Sequence, residues 1–216
     1  MNYPGIKAEW NGFDRYDFDF EGRASILCAP RQAAPGRPWI WRARFFNAWP
    51  AVDLALLERG WHVAYHDVAD LFGCPEAVEL WNTFHAHLAT ELGLAEKPVL
   101  EGMSRGGLII YNWAIANPDK VRCIYADAPV CTIRSWPGGH GVGAGSEESW
   151  ARCLHAYGMT EEQALAYAHN PVDGLKSIAE AGIPCIHVVG DADATVPICE
   201  NTTVVEQRLR ALGGHI

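Results

Sequence analysis

Hydrophobic and polar residues alternate near the start of the chain, in the stretch RYDFDFEGRASILCAP. Apolar side chains recur at every second position on both sides of Glu21 and Gly22, a pair that suits a tight turn. Alternation with a period of two places apolar side chains on one face of a strand. The stretch therefore predicts a β-hairpin that forms the first two strands of a sheet.

After the hairpin, short apolar runs alternate with segments whose apolar residues recur at helical spacing. Further strands are predicted within residues 39–46, 61–68, 97–103, 121–129 and 183–193. Helices are predicted within residues 51–60, 74–94, 106–118 and 199–214, each closed by a glycine or a proline. Because strands and helices alternate, the sequence predicts an α/β fold with a mainly parallel sheet and helices on both faces.

The alternation is interrupted between the sixth and seventh predicted strands, where residues 131–182 contain no strand pattern. This segment opens on the glycine-rich loop SWPGGHGVGAGS and continues into two helical stretches, EESWARCLHAYG and TEEQALAYAH. Thr160 and Gln163 form a capping-box pattern at the start of the second. Insertions of this length are usually functional, so we expect a cap over a site within a single domain of residues 1–216.

Composition narrows the classes of function that this domain can have. The 216 residues carry a formal net charge of -9, which argues against a nucleic-acid surface because such surfaces need a basic stripe. No apolar run approaches the length of a membrane span. Nine tryptophans are many for this length, and they predict either a large aromatic core or a cleft lined by aromatic rings.

The seven cysteines show no metal-ligand spacing. Cys123 and Cys185 lie in apolar strand patterns and are predicted to be buried thiols, while a disulfide between Cys131 and Cys153 stays open as an alternative. Reduced thiols favour a cytoplasmic protein, and no basic-then-apolar leader opens the chain. A secreted or periplasmic protein whose leader was removed is the alternative location.

The most informative short stretch is VLEGMSRGGLII, residues 99–110, in which an apolar run stops at a glycine-rich turn. Gly102, Ser104 and Gly106 fit the pattern G-x-S-x-G between a predicted strand and a predicted helix, which is the context that this motif requires. Such a turn places the serine at a helix N-terminus, where free N–H groups and the helix dipole favour a developing oxyanion. We therefore expect Ser104 to be a catalytic nucleophile and the N–H of Arg105 to be one oxyanion donor.

On these residues the chain resembles the α/β-hydrolase family, and the resemblance extends from the opening hairpin to the final helix. The motifs that carry it are EGMSRGG, YADAP in the sixth predicted strand, and GDADATVP, which fits the family pattern G-x-x-D-x-x-V-P. The resemblance implies an α/β-hydrolase fold and a catalytic triad whose acid is Asp193. Asp191 and Asp127 remain alternative positions for that acid.

Within this family, the stretches WIWRARFF, EGMSRGG and HNPVDGLKSIAEAGIPCIHVVGDADATVP look like a bacterial esterase-like subgroup often found near carbohydrate-degrading enzymes. This similarity implies a serine esterase that hydrolyses a carboxylic ester through an acyl-enzyme, with a small-molecule or carbohydrate ester as substrate. A lactonase, a peptidase or a thioesterase would use the same residues and stays open. No metal or organic cofactor is implied.

The segment RARFF, after the third predicted strand, should supply the second oxyanion N–H, although many relatives carry His-Gly there. The donor is expected among Arg42, Ala43 and Arg44, and Ala43 is the predicted one. Arg42 and Arg44, together with Asp127 and Trp136, are also predicted to bind substrate. Arginine forks match a substrate carboxylate, whereas the structural alternative is that the arginines pair with neighbouring carboxylates and hold the loops.

A serine nucleophile needs a general base, and the family order of the triad is serine, acid, histidine. Only His215 follows Asp193, and it falls at the start of the expected eighth strand rather than beyond it. His140, in the glycine-rich loop, is the other candidate, and the remaining seven histidines are predicted to be structural or solvated. We expect either a catalytic histidine in a last strand and helix outside this chain or a binding module without turnover. Without such a last strand and helix, a second copy or a partner would cover the open edge of the sheet.

Overall fold

The computed structural model describes residues 3–216, so the first two residues of the predicted domain lie outside the described residues. Within that range eight strands form one sheet: β1 (Ile6–Trp10), β2 (Phe13–Phe20), β3 (Arg23–Ala29), β4 (Trp39–Arg42), β5 (His62–His66), β6 (Val99–Met103), β7 (Cys123–Asp127) and β8 (Cys185–Val188). The α-helices are α1 (Ala51–Glu58), α2 (Pro75–Ala86), α3 (Gly106–Ala116), α4 (Glu147–Tyr157), α5 (Glu161–Leu165), α6 (Leu175–Glu180) and α7 (Thr202–Ala211).

The strands lie in the order β1-β2-β3-β5-β4-β6-β7-β8. The first three strands and β5 pair antiparallel, and from β5 to β8 all neighbours are parallel. The predicted hairpin is β2 and β3, and the predicted mainly parallel sheet is confirmed. The strand β1 is missing from the prediction, because four of its five residues are exposed and they leave no apolar alternation to detect.

The direction of strand addition reverses at β4. After β4 the chain moves to β5 on one side, and it then crosses to β6 on the other side. Helix α1 packs on one face of the sheet through Leu57, against Ile40 and Val63, while α2 and α3 pack on the opposite face against Trp39 and Trp41. In open α/β sheets ligands bind outside the carboxyl ends of the strands at such a reversal, which points to the loops after β4 and β6.

A cluster of tryptophans fills the space between the sheet and helices α2 and α3. Trp41 of β4 stacks on Trp81 of α2 with ring centroids 3.8 Å apart, and Trp113 of α3 meets Trp41 edge-on at 5.2 Å. These three rings and Trp39 are fully buried. The surplus of tryptophan therefore serves mainly the core, although Trp49 is 78% exposed.

No strand lies between β7 and β8, and helices α4, α5 and α6 occupy that segment. The hydroxyl of Ser146 accepts the N–H of Ser149 and caps α4, and the predicted capping box of Thr160 and Gln163 opens α5. The helix α5 ends at Leu165, earlier than its sequence pattern predicts. Apolar side chains of this segment pack in one cluster with residues from outside it. The cluster contains Phe72, Leu108, Val130, Ile133, Trp150, Cys153, Ala164 and Val196.

All seven cysteines are unpaired, so the alternative of a disulfide between Cys131 and Cys153 is wrong. Both thiols are buried, and burial raises the pKa of Cys153 to about 12. Cys185 is buried as predicted, whereas Cys123 is only partly buried. Burial raises the pKa of these two thiols as well.

Candidate active site

Ser104 lies in the turn between β6 and α3, and its backbone has a φ of 50°, in the left-handed region that non-glycine residues rarely adopt. Three backbone hydrogen bonds of 2.9 Å hold it there. Its N–H donates to the carbonyl oxygen of Asp127, and its carbonyl oxygen accepts the N–H groups of Gly107 and Val130. Strained residues persist only where their surroundings fix them, and they cluster at functional sites. The turn therefore has the strand–turn–helix geometry that the motif predicts.

The glycines of this turn are not equivalent. A Cβ atom on Gly102 would lie 2.8 Å from the carbonyl oxygen of Gly106, and one on Gly107 would lie 2.6 Å from the carbonyl oxygen of Val130. At Gly106 the nearest atom would be 3.4 Å away, which is an ordinary contact. The steric requirement for glycine thus falls on Gly102 of the motif and on Gly107, which follows the motif, rather than on Gly106.

The backbone N–H groups of Arg44 and Arg105, beside the serine, have no acceptor within residues 3–216. A Cβ atom on Gly106 would lie 3.8 Å from the nitrogen of Arg44, so the loop after β4 runs beside the start of α3. The predicted donor Ala43 is wrong, because its N–H already donates to the carbonyl oxygen of Glu101 at 2.9 Å. The N–H groups of Arg44 and Arg105 form the pair that can hold an oxyanion.

Arg42 is not free to bind substrate, which corrects the prediction for this residue. Its side chain is only 2% exposed, and its Nη1 contacts the carboxylates of Asp53 and, at 3.0 Å, Glu101. Its Nε donates to the carbonyl oxygens of Arg44 at 3.3 Å and of Phe45 at 3.2 Å. The structural alternative therefore holds for Arg42, which fixes the loop that carries the free N–H of Arg44.

Asp53 and Glu101 are two buried carboxyl groups that share the guanidinium of Arg42. Burial raises the pKa of Glu101 well above its usual range, and the charge of Asp53 adds to this effect. Burial also raises the pKa of Asp53, although Arg42 opposes the shift. One cation faces two carboxyl groups, so burial and the repulsion between the carboxylates favour a proton on one of them.

Asp193 lies in the loop after β8, and the backbone fixes its carboxylate. Its Oδ1 accepts the N–H groups of Thr195 and Val196, both at 2.9 Å, which leaves Oδ2 available for an imidazole N–H. The alternative acid Asp191 is exposed and forms no hydrogen bond with another described residue. The fixed orientation that a triad acid needs is therefore present at Asp193 and missing at Asp191.

Asp127 ends β7, the strand between β6 and β8, and it pairs in register with Met103 and Val188. Ser104 and the loop of Asp193 therefore leave the same edge of the sheet, one strand to either side of Asp127. Its carboxylate is partly buried and forms no hydrogen bond or ion pair with another described residue. This arrangement leaves Asp127 available both as an alternative acid and as a substrate-binding residue.

The guanidinium of Arg105 lies beside two stacked aromatic rings, 5.6 Å from the centroid of Phe72 and 5.8 Å from that of Trp136. The predicted substrate-binding residue Trp136 is thereby brought to the serine turn. Burial lowers the pKa of Arg105 to about 10, and the positive charges of Arg44 and Arg152 lower it further. No sequence motif marks Phe72 or Arg152, because they reach the turn from the loop after β5 and from the cap helix α4.

His215 lies at the wrong end of the sheet to act as the base. Its carbonyl oxygen accepts the N–H of Cys185 at 3.0 Å, which places it beside the first residue of β8. Ser104 and Asp193 lie beyond the carboxyl ends of the strands, and a four-residue strand separates the two edges by about 10 Å. The position of His215 therefore agrees with the predicted start of a further strand.

His140 is held within the cap, where its Nε2 lies 3.6 Å from a carboxylate oxygen of Glu161 and its ring meets Trp150 at 5.3 Å. Neither it nor any other described histidine forms a hydrogen bond with Ser104 or Asp193. Besides His215, the others are His62, His66, His85, His87, His155, His169 and His187.

Within residues 3–216, no three His, Cys, Asp or Glu side chains are grouped so that they could hold a metal ion. In the same range, none of the helices combines the length and the apolar character that crossing a bilayer requires.

The reversal at β4, the serine turn after β6 and the loop of Asp193 after β8 are features of an α/β-hydrolase fold. Solved structures confirm this fold. A dipeptidyl peptidase 4 from Porphyromonas gingivalis is 13% identical, with a TM-score of 0.66 over 95% of this chain and 31% of that chain. A membrane phospholipase A, described as a novel bacterial virulence factor, is 14% identical, with a TM-score of 0.55 over 90% of this chain and 76% of that chain.

At these identities the likeness shows the fold alone, and the chain spans about a third of the length of the peptidase. No family model matches the chain, and no curated protein matches it. Neither similar structure is described as a carbohydrate esterase, so the resemblance to an esterase-like subgroup stays a prediction.

Proposed function

We propose that this chain is the nucleophile-bearing domain of a serine hydrolase that cleaves a carboxylic ester through an acyl-enzyme. The observation that carries the proposal is the left-handed backbone of Ser104 beside the free N–H groups of Arg44 and Arg105. A serine held in this way presents its hydroxyl next to donors that stabilise a tetrahedral intermediate.

The proposed reaction has two steps. The Oγ of Ser104 attacks the ester carbonyl carbon, its proton passes to a general base, and the carbonyl oxygen becomes an oxyanion facing Arg44 and Arg105. The bond to the alcohol then breaks, and the alcohol leaves with the proton from the base. In the second step the base takes a proton from water, the hydroxide attacks the acyl carbon, and Ser104 leaves with the proton returned.

The triad acid in this proposal is Asp193, whose free Oδ2 would orient the base. No described histidine contacts Ser104, so we propose that the base is a histidine carried by a further segment or by a partner. That segment would continue the sheet beyond β8, where the carbonyl oxygen of His215 already pairs with Cys185.

The proposed substrate is a carbohydrate-linked ester. Support comes from the subgroup resemblance and from Trp136, whose partly buried ring lies beside the guanidinium of Arg105 at the serine turn. Hydrolysis rates on a sugar ester, a lactone, a thioester and a peptide, compared at equal concentration, would separate this substrate from its alternatives.

A second candidate function is a ligand-binding module without turnover. The specific observation that favours it is the lack of contact between Ser104 and any described histidine. Such a module would retain the serine turn and the pocket beside it, but it would not activate the hydroxyl.

A fluorophosphonate probe distinguishes these functions, because it forms a covalent adduct only with an activated serine. Intact mass spectrometry of the natively produced protein, before and after exposure, should show a single adduct that peptide mapping assigns to Ser104. The Ser104→Ala variant should lose the adduct, and the control variant Ser149→Ala should keep it. An unlabelled protein that is folded by circular dichroism, or labelling that persists in Ser104→Ala, would contradict the hydrolase proposal.

A further inference from the structure

A pocket of about 380 Å³ opens at the carboxyl edge of the sheet, beside the serine turn. We call it the arginine pocket, after the four arginines in its lining. They come from four segments, namely the start of β3, the loop after β4, the serine turn and the cap helix α4. Its charged lining residues are Arg23, Arg44, Asp67, Asp70, Arg105 and Arg152.

The two carboxylates of the arginine pocket are already engaged. Asp70 lies 2.9 Å from Nη1 of Arg23, which also donates to the carbonyl oxygen of Asp67 at 3.0 Å. The carboxylate of Asp67 accepts the N–H of Ala69 at 3.1 Å. The ion pair with Asp70 neutralises Arg23. The charge of Asp67 partly balances that of Arg105, so the other three arginines share one carboxylate in the pocket wall.

The remaining three arginines are close to one another and poorly balanced. Neither Arg44 nor Arg105 forms an ion pair with a described residue, and the Nε of Arg44 is buried without a hydrogen-bond partner. Arg152 reaches only Glu148, at 3.8 Å in an exposed pair one helical turn away. Positive charge therefore collects in this pocket although the chain carries a net charge of -9.

Bringing these positive charges together has an energetic cost. Burial and the neighbouring charges of Arg44 and Arg152 lower the pKa of Arg105, so the protonated form is disfavoured where it stands. A bound anion would offset the repulsion between the guanidinium groups and would accept their planar N–H forks. It would also satisfy the orphaned Nε of Arg44.

The pocket is placed to act on a substrate of the serine turn. Arg105 directly follows Ser104, and the backbone N–H of Arg44 is the second oxyanion donor described above. We propose that the arginine pocket binds an anionic oxygen group of the ester substrate, a carboxylate or a phosphate, through the side chains of Arg44, Arg105 and Arg152. The identity of the ligand as a substrate rests on the proposed function, whereas its binding does not require turnover.

The test is isothermal titration calorimetry on the Ser104→Ala variant, which separates binding from hydrolysis. The probes are monomethyl succinate, methyl phosphate and the neutral dimethyl succinate. We expect at least one anionic probe to bind ten times more tightly than the neutral one, and its affinity to fall with added salt. Arg105→Gln and Arg152→Gln, each added to Ser104→Ala, should weaken that binding tenfold or more.

The matched control is Arg210→Gln, which removes an exposed arginine paired with Glu206 on α7. It should leave anion binding unchanged. Preference for carboxylate or for phosphate identifies the source of the anionic group, and either preference supports the pocket. Equal binding of the neutral and anionic probes, or unchanged affinity in the arginine variants, would overturn it.

The two proposals fail in different ways. If Ser104 is not labelled by a fluorophosphonate but the anion binds, the hydrolase proposal falls and the pocket stands. If Ser104 is labelled but neither anion binds, the hydrolase proposal stands and the pocket falls.

Discussion

Ser104 takes its backbone conformation from contacts with residues that are distant in sequence. The carbonyl oxygen of Asp127 and the N–H of Val130 both come from the end of β7, more than 20 residues further on. The turn is therefore set by the sheet rather than by its local sequence. The surrounding structure holds Ser104 in its strained conformation, and neighbouring atoms approach the turn most closely at Gly102 and Gly107.

The glycines of the turn give a prediction with an internal control. Gly107→Ala should lower the free energy of unfolding by about 1–3 kcal/mol, because its Cβ would lie 2.6 Å from the carbonyl oxygen of Val130. Gly106→Ala has room for its Cβ, so its unfolding free energy should stay within about 1 kcal/mol of the wild type. Urea unfolding of both variants measures the difference. Equal destabilisation of the two variants would show that the backbone around Val130 moves to make room for the Cβ at residue 107.

Sequence reasoning identifies residues whose role is local and misses those whose role depends on register. The pattern around Ser104 is recognisable because the turn requires glycines at positions close to the serine in sequence. The second oxyanion donor cannot be recognised in this way. The N–H of Ala43 donates to Glu101 on the neighbouring strand and that of Arg44 does not, which depends on how the strands pair. Arg42 is likewise an unremarkable arginine until β4 is placed between β5 and β6.

At the scale of elements, a small polar network joins the cap to the segment that follows Asp193. The carboxylate of Glu200 accepts the hydroxyl of Ser135 at 2.6 Å and also the N–H of Val142 in the glycine-rich loop. Asn201 donates to the hydroxyl of Ser135 at 3.0 Å and accepts the N–H of Cys131 at 2.8 Å. The loop that follows Asp193 therefore also holds the first part of the cap.

Removing this carboxylate should loosen the glycine-rich loop. In Glu200→Ala the N–H of Val142 and the hydroxyl of Ser135 lose their acceptor, and we expect amide exchange at Val142 to accelerate by about tenfold or more. Hydrogen exchange followed by mass spectrometry measures this. The control Glu206→Ala removes an exposed carboxylate on α7 and should leave the loop unchanged. Protection that survives in Glu200→Ala would mean that packing alone holds the loop.

The end of a helix or strand was predictable where a glycine or proline interrupts the hydrophobic pattern. It was less predictable where no such residue occurs. Gly60 and Pro118 bound their helices as predicted. The third predicted strand continues to residue 46 in the pattern, yet β4 stops at Arg42 because the following carbonyls turn to its guanidinium. The last turns of the second predicted helix widen into a π-helix over His87–Glu91, which the apolar spacing does not signal.

At the scale of the whole molecule, buried histidines tie stability to pH. Burial lowers the pKa of His62, His66 and His187 to about 4. Because the unfolded chain binds these protons near pH 6.5 and the folded chain does not, stability is fully present above pH 6.5 and is lost as pH falls toward 4. Glu101 acts in the opposite sense, since its raised pKa favours the folded state at lower pH.

The contribution of one histidine can be isolated. His187 lies within 2.6 Å of the hydroxyl of Tyr111 and 2.9 Å of that of Thr202. Between pH 7 and pH 5 the wild type should lose roughly 2 kcal/mol more unfolding free energy than His187→Gln, measured by urea unfolding at both values. The exposed His155→Gln should follow the wild type. Equal losses in the wild type and His187→Gln would show that His187 titrates normally in the fold.

The alternation of strands and helices was enough to predict the architecture, because that pattern admits few topologies. It was not enough to predict the arginine pocket, whose walls come from the hairpin, the loop after β4, the serine turn and the cap. These segments are distant in sequence and come together only when the sheet has formed. Only the serine turn had a signature confined to neighbouring residues.

The stacked tryptophans of β4 and α2 give the protein an optical signal of its own. Two indole rings with centroids 3.8 Å apart and planes inclined by 15° form a rigid, chiral pair of chromophores, and Trp113 adds a third. Near-ultraviolet circular dichroism reports side chains in fixed packing, while the far-ultraviolet signal reports the backbone. Separation of α2 from the sheet would thus be visible as loss of the first signal before loss of the second, without any attached label.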